Sequence, residues 1–274
     1  MQQTSQVCHN HSPIPILTYH QISEPPAQRI PYRDHLYVRP DAFARQMQLL
    51  HRLGYRGVSM SQAEPYLRGI KHGRVVAITF DDGYLNALTN ALPVLRDLGF
   101  TATNYVVSQR VGQVNDWDHP LAATPLMNES ELRQWLQPGN DIGGHSRQHL
   151  ALNDMDESEA YAEIANCKSE LETLLDAEVS HFCFPYGSHS DEHVRMAREA
   201  GYATAVTTAR GRCLPGHHLL RLPRLAVLDS TSLLVFQLKV TTPYDDRPRT
   251  LELIRGWMAS RKRTSISSRP ELER

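Results

Sequence analysis

Three short segments end a helix and start a strand in the same way, and they constrain the fold more than any other feature. Each consists of an apolar residue, a glycine and an aromatic residue, at 53–55, 98–100 and 200–202. A glycine just after a helix closes it in the left-handed region, and the aromatic residue then enters a strand. The same junction three times predicts a chain built from repeated helix-to-strand steps.

Strands and helices alternate along most of the chain. Apolar runs predict strands at 14–19, near Val58, and at 75–80, 103–107, 181–184 and 204–207. Amphipathic patterns predict helices at 42–53, 84–98, 129–137, 156–176 and 189–200. Such alternation is typical of parallel strands joined by right-handed crossovers. A total of about seven or eight strands favours an α/β fold with a closed (β/α) barrel over an open sheet.

The composition agrees with one folded domain. The 274 residues are 41% hydrophobic and 22% charged, which excludes wholesale disorder. Their 29 Lys and Arg against 30 Asp and Glu give a net charge of −1, which argues against a nucleic-acid binder. We expect one domain over 14–260, with flexible termini at 1–13 and 261–274.

Targeting signals are not evident in the sequence. No run of about 18 apolar residues predicts a transmembrane segment, and the first fifteen residues do not resemble a secretory signal. The four cysteines form no Cys-x-x-Cys pair, which predicts free thiols in a reducing compartment. The expected location is therefore cytoplasmic, whereas the oligomeric state is left open.

Two adjacent carboxylates follow the apolar run at 75–80. Asp81 and Asp82 precede Gly83 and a predicted helix. Ligand and catalytic groups of parallel α/β folds collect at this end of the strands. Two neighbouring carboxylates repel each other unless a cation or a proton separates them. The alternative is that Asp82 only caps the following helix.

Two histidines lie four residues apart after another short strand. His145 and His149 belong to the segment at 141–149. A helical turn would bring both imidazoles to one side, and two histidines with one carboxylate form a common catalytic zinc set. Such a pair is often incidental. However, Asp82 and both histidines follow strands of one predicted sheet, so these side chains can converge.

A third segment, 182–187, also ends an apolar strand. Pro185 and Gly187 restrict its loop, so that the backbone N–H of Tyr186 could point into the same site. The alternative is an ordinary turn with a packed tyrosine.

Together, these three segments resemble the polysaccharide deacetylases of carbohydrate esterase family 4, which share the NodB homology domain. The resemblance rests on Thr-Phe-Asp-Asp-Gly at 79–83, His-Ser-x-x-His at 145–149 and Phe-Pro-Tyr-Gly at 184–187, and it spans about residues 14–228. It is nearest to the branch that acts on the exopolysaccharide poly-N-acetylglucosamine. The resemblance implies a distorted (β/α) barrel of about seven strands, circularly permuted relative to other members.

The resemblance also implies a set of roles. A single divalent metal, usually Zn²⁺ with Co²⁺ or Ni²⁺ as alternatives, would be held by Asp82, His145 and His149. Asp81 would be the general base. The Tyr186 N–H would stabilise the oxyanion.

Two positions depart from the family pattern. Many members carry an arginine two residues before the proline of the third motif, where this chain has Cys183. Arg224 could supply that guanidinium from another strand. Many members also end with a Leu-x-x-His motif whose histidine is the general acid. Here that motif occurs near the start, at Leu17–His20, which makes His20 the candidate acid and His217 or His218 the alternatives.

The expected substrate is an N-acetylhexosamine unit of a polysaccharide, an oligosaccharide or a precursor. The residues expected to contact it are Trp117, Tyr32, Tyr37, Tyr84, Pro185 and Arg224. Hydrolysis of another C–N bond, in a small amide or a cyclic ureide, is the enzymatic alternative. A carbohydrate-binding relative without catalysis is the other.

Overall fold

The computed structural model describes residues 12–26, 36–117, 123–137, 139–214 and 216–246. The prediction for Tyr32 falls outside these residues. The flexible termini predicted at 1–13 and 261–274 also fall outside them, apart from Ser12 and Pro13. Within the described residues, no helix is long and apolar enough to cross a membrane.

The described residues form eight strands and seven α-helices, with a helix between successive strands everywhere except between β7 and β8. The strands are β1 Ile16–Tyr19, β2 Arg56–Val58, β3 Val75–Phe80, β4 Thr103–Val106, β5 Asp141–Gly144, β6 His181–Cys183, β7 Thr204–Arg210 and β8 Leu222–Ala226. The helices are α1 Pro40–Arg52, α2 Met60–Leu67, α3 Leu92–Asp97, α4 Glu129–Leu136, α5 Glu157–Leu175, α6 Asp191–Glu199 and α7 Leu233–Thr241. The predicted helix at 84–98 is shorter than expected, because a wide helical turn at Ala87–Ala91 precedes α3.

The sheet closes into a barrel, as predicted. Strands β3 to β8 pair in sequence order, and β1 pairs with both β8 and β3. All of these pairings are parallel. Strand β2 pairs with β3 outside this ring of seven. Among the described residues, the first strand therefore closes the barrel beside the last one.

The repeated glycines end their helices in the predicted way. Gly54, Gly99 and Gly201 have φ angles of 73°, 64° and 85°, which a side chain would make costly. At the other helix ends, α4 and α5 begin with capping boxes, in which Asn128 and Asp156 accept from the backbone three residues on.

Successive side chains along the strands belong to two different apolar clusters. Ile16, Ala77, Tyr105 and Val206 belong to one cluster, to which Cys183 also belongs. Their neighbours in sequence belong to a larger cluster that includes side chains of the surrounding helices. Because every residue of β3 is buried, its sequence is a continuous run of apolar and β-branched residues up to Phe80. The three described cysteines, Cys167, Cys183 and Cys213, are buried free thiols.

Candidate active site

The residues singled out by the sequence follow the carboxyl ends of the barrel strands. His20 follows β1, Asp81 and Asp82 follow β3, His145 follows β5, and Tyr186 lies shortly after β6. Because these strands are parallel, their carboxyl ends form one rim. The rim therefore brings side chains together from positions as far apart in the sequence as 20 and 186.

Asp82, His145 and His149 form a compact cluster of buried donors. Oδ1 of Asp82 lies 3.2 Å from Nε2 of His145 and 3.3 Å from Nε2 of His149. One ligand atom from each residue lies within 4.8 Å of the other two. Despite these distances, Oδ1 has no hydrogen-bond partner among the described residues. A buried carboxylate oxygen beside two imidazole nitrogens, without hydrogen bonds to them, suits a shared divalent cation.

The backbone determines which nitrogen of His145 carries the proton when the ring is neutral. Nδ1 lies 2.7 Å from the carbonyl oxygen of Cys183. Because a carbonyl oxygen can only accept, Nδ1–H donates, and the lone pair of Nε2 faces Asp82. Metal-binding histidines are commonly oriented by such a bond to the nitrogen that does not bind the metal. The donor set of the cluster therefore fits a metal.

Burial and charge oppose each other in this cluster. Burial by itself raises the pKa of Asp82, but the imidazoles of His149 and His145 hold that pKa well below its usual value. Burial by itself lowers the pKa of His145, but Cys183 and Asp82 together hold that pKa well above its usual value. The carboxylate and the imidazoles thus stabilise one another's charged forms against burial.

Backbone strain is concentrated at this rim. Five described residues other than glycine have positive φ angles, and four of them belong to the motifs of the site: Asp82, Ser146, His149 and Tyr186, at 76°, 61°, 60° and 56°. Each such residue costs about 1–3 kcal/mol and persists only where its surroundings hold it. The site geometry is therefore maintained by the contacts around it.

Asp81 points at a different partner from its neighbour. The guanidinium of Arg224, on β8, donates from Nη1 and Nη2 to the two carboxylate oxygens of Asp81, both at 2.7 Å. Nε of Arg224 donates to the carbonyl oxygen of Thr207 at 3.0 Å. Burial by itself raises the pKa of Asp81, but Arg224 reverses this effect and lowers it. Arg224 was expected to contact substrate, whereas the structure buries it behind Asp81.

Cys183 leaves space for this arginine. Nη2 of Arg224 lies 3.2 Å from its Sγ, and Sγ lies 3.6 Å from Oδ2 of Asp81. The small side chain at the end of β6 thus allows the guanidinium to reach Asp81 from β8.

A second set of donors, Asp81, His145 and Cys183, is also compact enough for a metal. It is less suitable, because Arg224 already engages both oxygens of Asp81. Burial also raises the pKa of the Cys183 thiol, and the thiolate is the form that binds metals.

His20 lies at the mouth of the site. Its Nε2 is 3.8 Å from Oδ2 of Asp81, and its side chain is 25% exposed. The alternatives, His217 and His218, precede β8 and therefore lie at the amino end of the barrel. His217 contacts the backbone of Leu214, and His218 contacts Arg198. The structure brings His20 to the site and leaves the other two at the opposite end.

Tyr186 is exposed beside the cluster, with 55% of its surface accessible. Its hydroxyl is 3.1 Å from Nδ1 of His149, and the two rings meet edge to face at 4.7 Å. The preceding Pro185 is buried, so the expected contact between its ring and substrate is wrong. Gly187 N donates to the carbonyl oxygen of Phe184 at 2.8 Å, which closes the loop around Tyr186.

The family is identified by a direct match. A family model described as polysaccharide deacetylase matches residues 68–205, about half of the chain, including Asp81, Asp82, His145, His149 and Tyr186. This chain belongs to the polysaccharide deacetylase family. The resemblance of its three motifs to that family is thus confirmed.

Curated and solved relatives of this deacetylase agree. YxkH of Bacillus subtilis, named after the same family, is 27% identical over 216 residues, covering 78% of this chain and 71% of YxkH. The poly-β-1,6-N-acetyl-D-glucosamine N-deacetylase of Staphylococcus epidermidis is 24% identical over 163 residues, covering 56% of this chain and 55% of that protein. The Streptococcus pyogenes deacetylase PplD, solved with acetate, has the same fold, with a TM-score of 0.72, 24% identity, and coverage of 84% and 98%.

The aromatic residues of this deacetylase differ from expectation. The Trp117 ring stacks on His149, with centroids 4.5 Å apart and planes at 23°. Tyr84 is fully buried, and Nδ2 of Asn115 donates to its hydroxyl at 3.2 Å. Tyr37 is 7% exposed. Tyr84 and Tyr37 therefore offer no ring face to a sugar, and the prediction that they line a groove is wrong.

One residue at the site of the deacetylase was not anticipated. Glu163 of α5 is 5% exposed, and it accepts hydrogen bonds from the backbone of Arg147 and Gln148. A signal was present in the sequence. Glu163 lies among buried positions of α5 that recur at helical spacing, such as Ala160 and Cys167, where an acidic residue needs a partner.

Proposed function

We propose that this protein is a metal-dependent hydrolase that removes N-acetyl groups from N-acetylhexosamine units of a polysaccharide or oligosaccharide. The observation that carries the proposal is the division of labour between two adjacent aspartates. Asp82 faces two imidazoles, whereas its immediate neighbour in the sequence, Asp81, is held by Arg224. One carboxylate is thus available as a ligand and the other as a base.

Asp82, His145 and His149 would hold one divalent cation. Zn²⁺ matches two imidazoles and one carboxylate, with a remaining position for water or substrate, and Co²⁺ or Ni²⁺ would suit the same donors. When bound, such a cation lowers the pKa of water and polarises a carbonyl group. The Nδ1–H bond of His145 to the carbonyl of Cys183 would orient that ligand.

Asp81 would accept the proton from the water that attacks the acetamide carbon. Its lowered pKa keeps it ionised, and the bidentate contact with Arg224 fixes its plane. His20, when protonated, would donate to the nitrogen as the C–N bond breaks. The water oxygen ends in acetate, and the sugar leaves as an amine.

The developing oxyanion needs a donor from the protein. The backbone N–H of Tyr186 is the candidate, because its loop lies beside His149. One such donor contributes about 3–4 kcal/mol in other hydrolases.

The relatives favour a glucosamine polymer as the substrate. The Staphylococcus epidermidis relative described above is a poly-β-1,6-N-acetyl-D-glucosamine N-deacetylase. We therefore propose β-1,6-linked N-acetylglucosamine oligomers as the first substrates to examine. The exposed Tyr186 and the partly exposed Trp117 are the aromatic residues beside the cluster that can contact a sugar.

The decisive experiment is acetate release by the purified protein. The panel contains β-1,6- and β-1,4-linked N-acetylglucosamine oligomers, with chelator, zinc or cobalt added. We expect release that requires the metal and that is greater for the β-1,6 oligomers. Release only from β-1,4 oligomers would contradict the proposed β-1,6 linkage but would agree with the proposed N-deacetylase activity.

Two other outcomes would overturn the proposal. A protein that binds one metal yet hydrolyses only small amides or ureides is a different hydrolase. A protein that binds oligosaccharide, does not bind metal and does not release acetate is a carbohydrate-binding relative.

The contact between Arg224 and Asp81 predicts a shift in the pH profile. In Arg224→Met, the group that lowers the pKa of Asp81 most would be lost, and only His20 and His145 would oppose the effect of burial. The base would therefore be protonated at a higher pH. We expect the acidic limb of kcat/KM to move up by about 1–3 pH units. Arg221→Met, at a partly exposed arginine that contacts Asp191, is the control. An unmoved acidic limb in Arg224→Met would contradict the assignment of Asp81 as the base.

The proposed acid predicts a dependence on the leaving group. His20→Ala should lower turnover of acetylated oligosaccharide by about 10²-fold, because an amine anion is a poor leaving group. Hydrolysis of an aryl acetate should change far less, since a phenolate leaves without a proton. Metal content should be unchanged, and His218→Ala should resemble the wild type. Equal losses on the amide and on the aryl ester would exclude His20 as the acid.

A further inference from the structure

The turn that carries His149 is conformationally demanding. His145 follows β5 with its N–H bonded to the carbonyl of Val106, and the chain then reverses to bring His149 back to Asp82. Ser146 and His149 both adopt left-handed backbone angles. Two such residues within four positions must be stabilised by other contacts. Oγ of Ser146 accepts from the N–H of His149 at 3.0 Å, and the carbonyl oxygens of Ser146 and Arg147 accept from the backbone N–H groups of Ser108 and Gln109 at 3.2 and 3.0 Å. The N–H groups in the middle of the turn need a separate acceptor.

A single carboxylate oxygen binds both N–H groups in the middle of the turn. Oε2 of Glu163 accepts from the N–H of Arg147 at 2.8 Å and from the N–H of Gln148 at 2.9 Å. Glu163 belongs to α5, a helix of 19 residues that starts with a capping box. The support for the turn is thus built on a rigid element and is buried from water.

Nearby charged groups do not replace this support. The guanidinium of Arg147 turns to another glutamate, and its Nε donates to Oε1 of Glu170 at 2.9 Å. Glu170 also accepts from Oγ of Ser108 at 2.5 Å. Glu170 therefore meets side chains of this region, whereas Glu163 binds the backbone between the two histidines.

We infer that Glu163 is a positioning residue of the metal site. By accepting both N–H groups, it fixes the turn at 146–149 and thereby the direction from which Nε2 of His149 meets Asp82. The inference rests on the proposed metal site. According to this inference, Glu163 increases the metal affinity of the site without binding the metal itself.

Three variants separate the parts of this role. Glu163→Gln keeps a side-chain oxygen at the same reach and loses the charge. Glu163→Asp keeps the charge and withdraws the oxygens by one methylene. Glu170→Ala removes the neighbouring carboxylate without touching the backbone contacts. For each full-length protein, zinc affinity is measured by competition with a chromophoric chelator, and the melting temperature is measured without metal.

We expect Glu163→Asp to bind zinc about tenfold more weakly than the wild type, as is typical when support of a metal ligand is lost. Glu163→Gln and Glu170→Ala should remain within about threefold of the wild type, since both keep the two backbone bonds. Melting temperatures of the metal-free Gln and Asp variants should be similar, which separates loss of the site from loss of the fold.

Several results would overturn the inference. Zinc affinity of Glu163→Asp close to that of the wild type would do so, as would an equal loss in Glu163→Gln or in Glu170→Ala. If the wild type binds no metal, the proposed function itself fails. Amide hydrogen exchange at Arg147 and Gln148 then still tests the role of Glu163, because faster exchange in Glu163→Asp is required if this side chain holds the turn.

Discussion

Asp81→Asn is expected to lower turnover of acetylated oligosaccharides by about 10²- to 10⁴-fold, the range associated with a general base. An amide is isosteric with the carboxylate but cannot take a proton from water. Because Asp81 lies beside Arg224 and not among the ligands, metal content should remain at the wild-type level. The measurement combines acetate release with metal analysis of the same preparation.

The adjacent residue supplies the matched control. Asp82→Asn alters the neighbouring carboxylate by the same one-atom change and should lose metal together with activity. If both variants lose metal equally, the separation of base and ligand along this dipeptide is wrong. Near wild-type turnover in Asp81→Asn would move the base elsewhere.

His149→Ala is expected to have the second large effect, the loss of both metal and turnover. The substitution removes one of the three proposed ligands, and it also removes the ring that lies between Trp117 and Tyr186. Turnover should fall to the level of the wild type in chelator, and zinc stoichiometry should fall well below one.

The control is His218→Ala, at an exposed histidine at the other end of the barrel. It should keep both metal and activity. Full zinc occupancy in His149→Ala would contradict the proposed ligand set. Partial rescue of turnover by high zinc would still agree with it, because two ligands and a weaker site remain.

Features set by local sequence were predictable. Gly54 and Gly201 mark helix ends because a left-handed residue without a Cβ is favoured there, whatever the rest of the fold. Asp82 and His145 could be placed together because parallel strands direct their carboxyl ends to one edge. These inferences need only the order of elements along the chain.

Features set by packing were harder to predict. Tyr84 follows the Asp-Asp-Gly motif and suggested a sugar contact, yet its ring fills the core beneath the loop that contains Asn115. The contact between Arg224 and Asp81 joins residues 143 positions apart, and no local pattern specifies it. Helix α2 was missed, because Pro65 inside it reads as a helix breaker.

The closure of the barrel by β1 has a consequence for the order in which the protein matures. During synthesis, Arg224 on β8 follows its partner Asp81 by 143 residues. At elongation rates of about 5–20 residues per second, this separation is an interval of roughly 7–30 s. Until β8 docks against β1, Asp81 lacks its guanidinium and the ring of strands remains open. We therefore expect the proposed base to be complete only once β8, the last strand of the described residues, is in place.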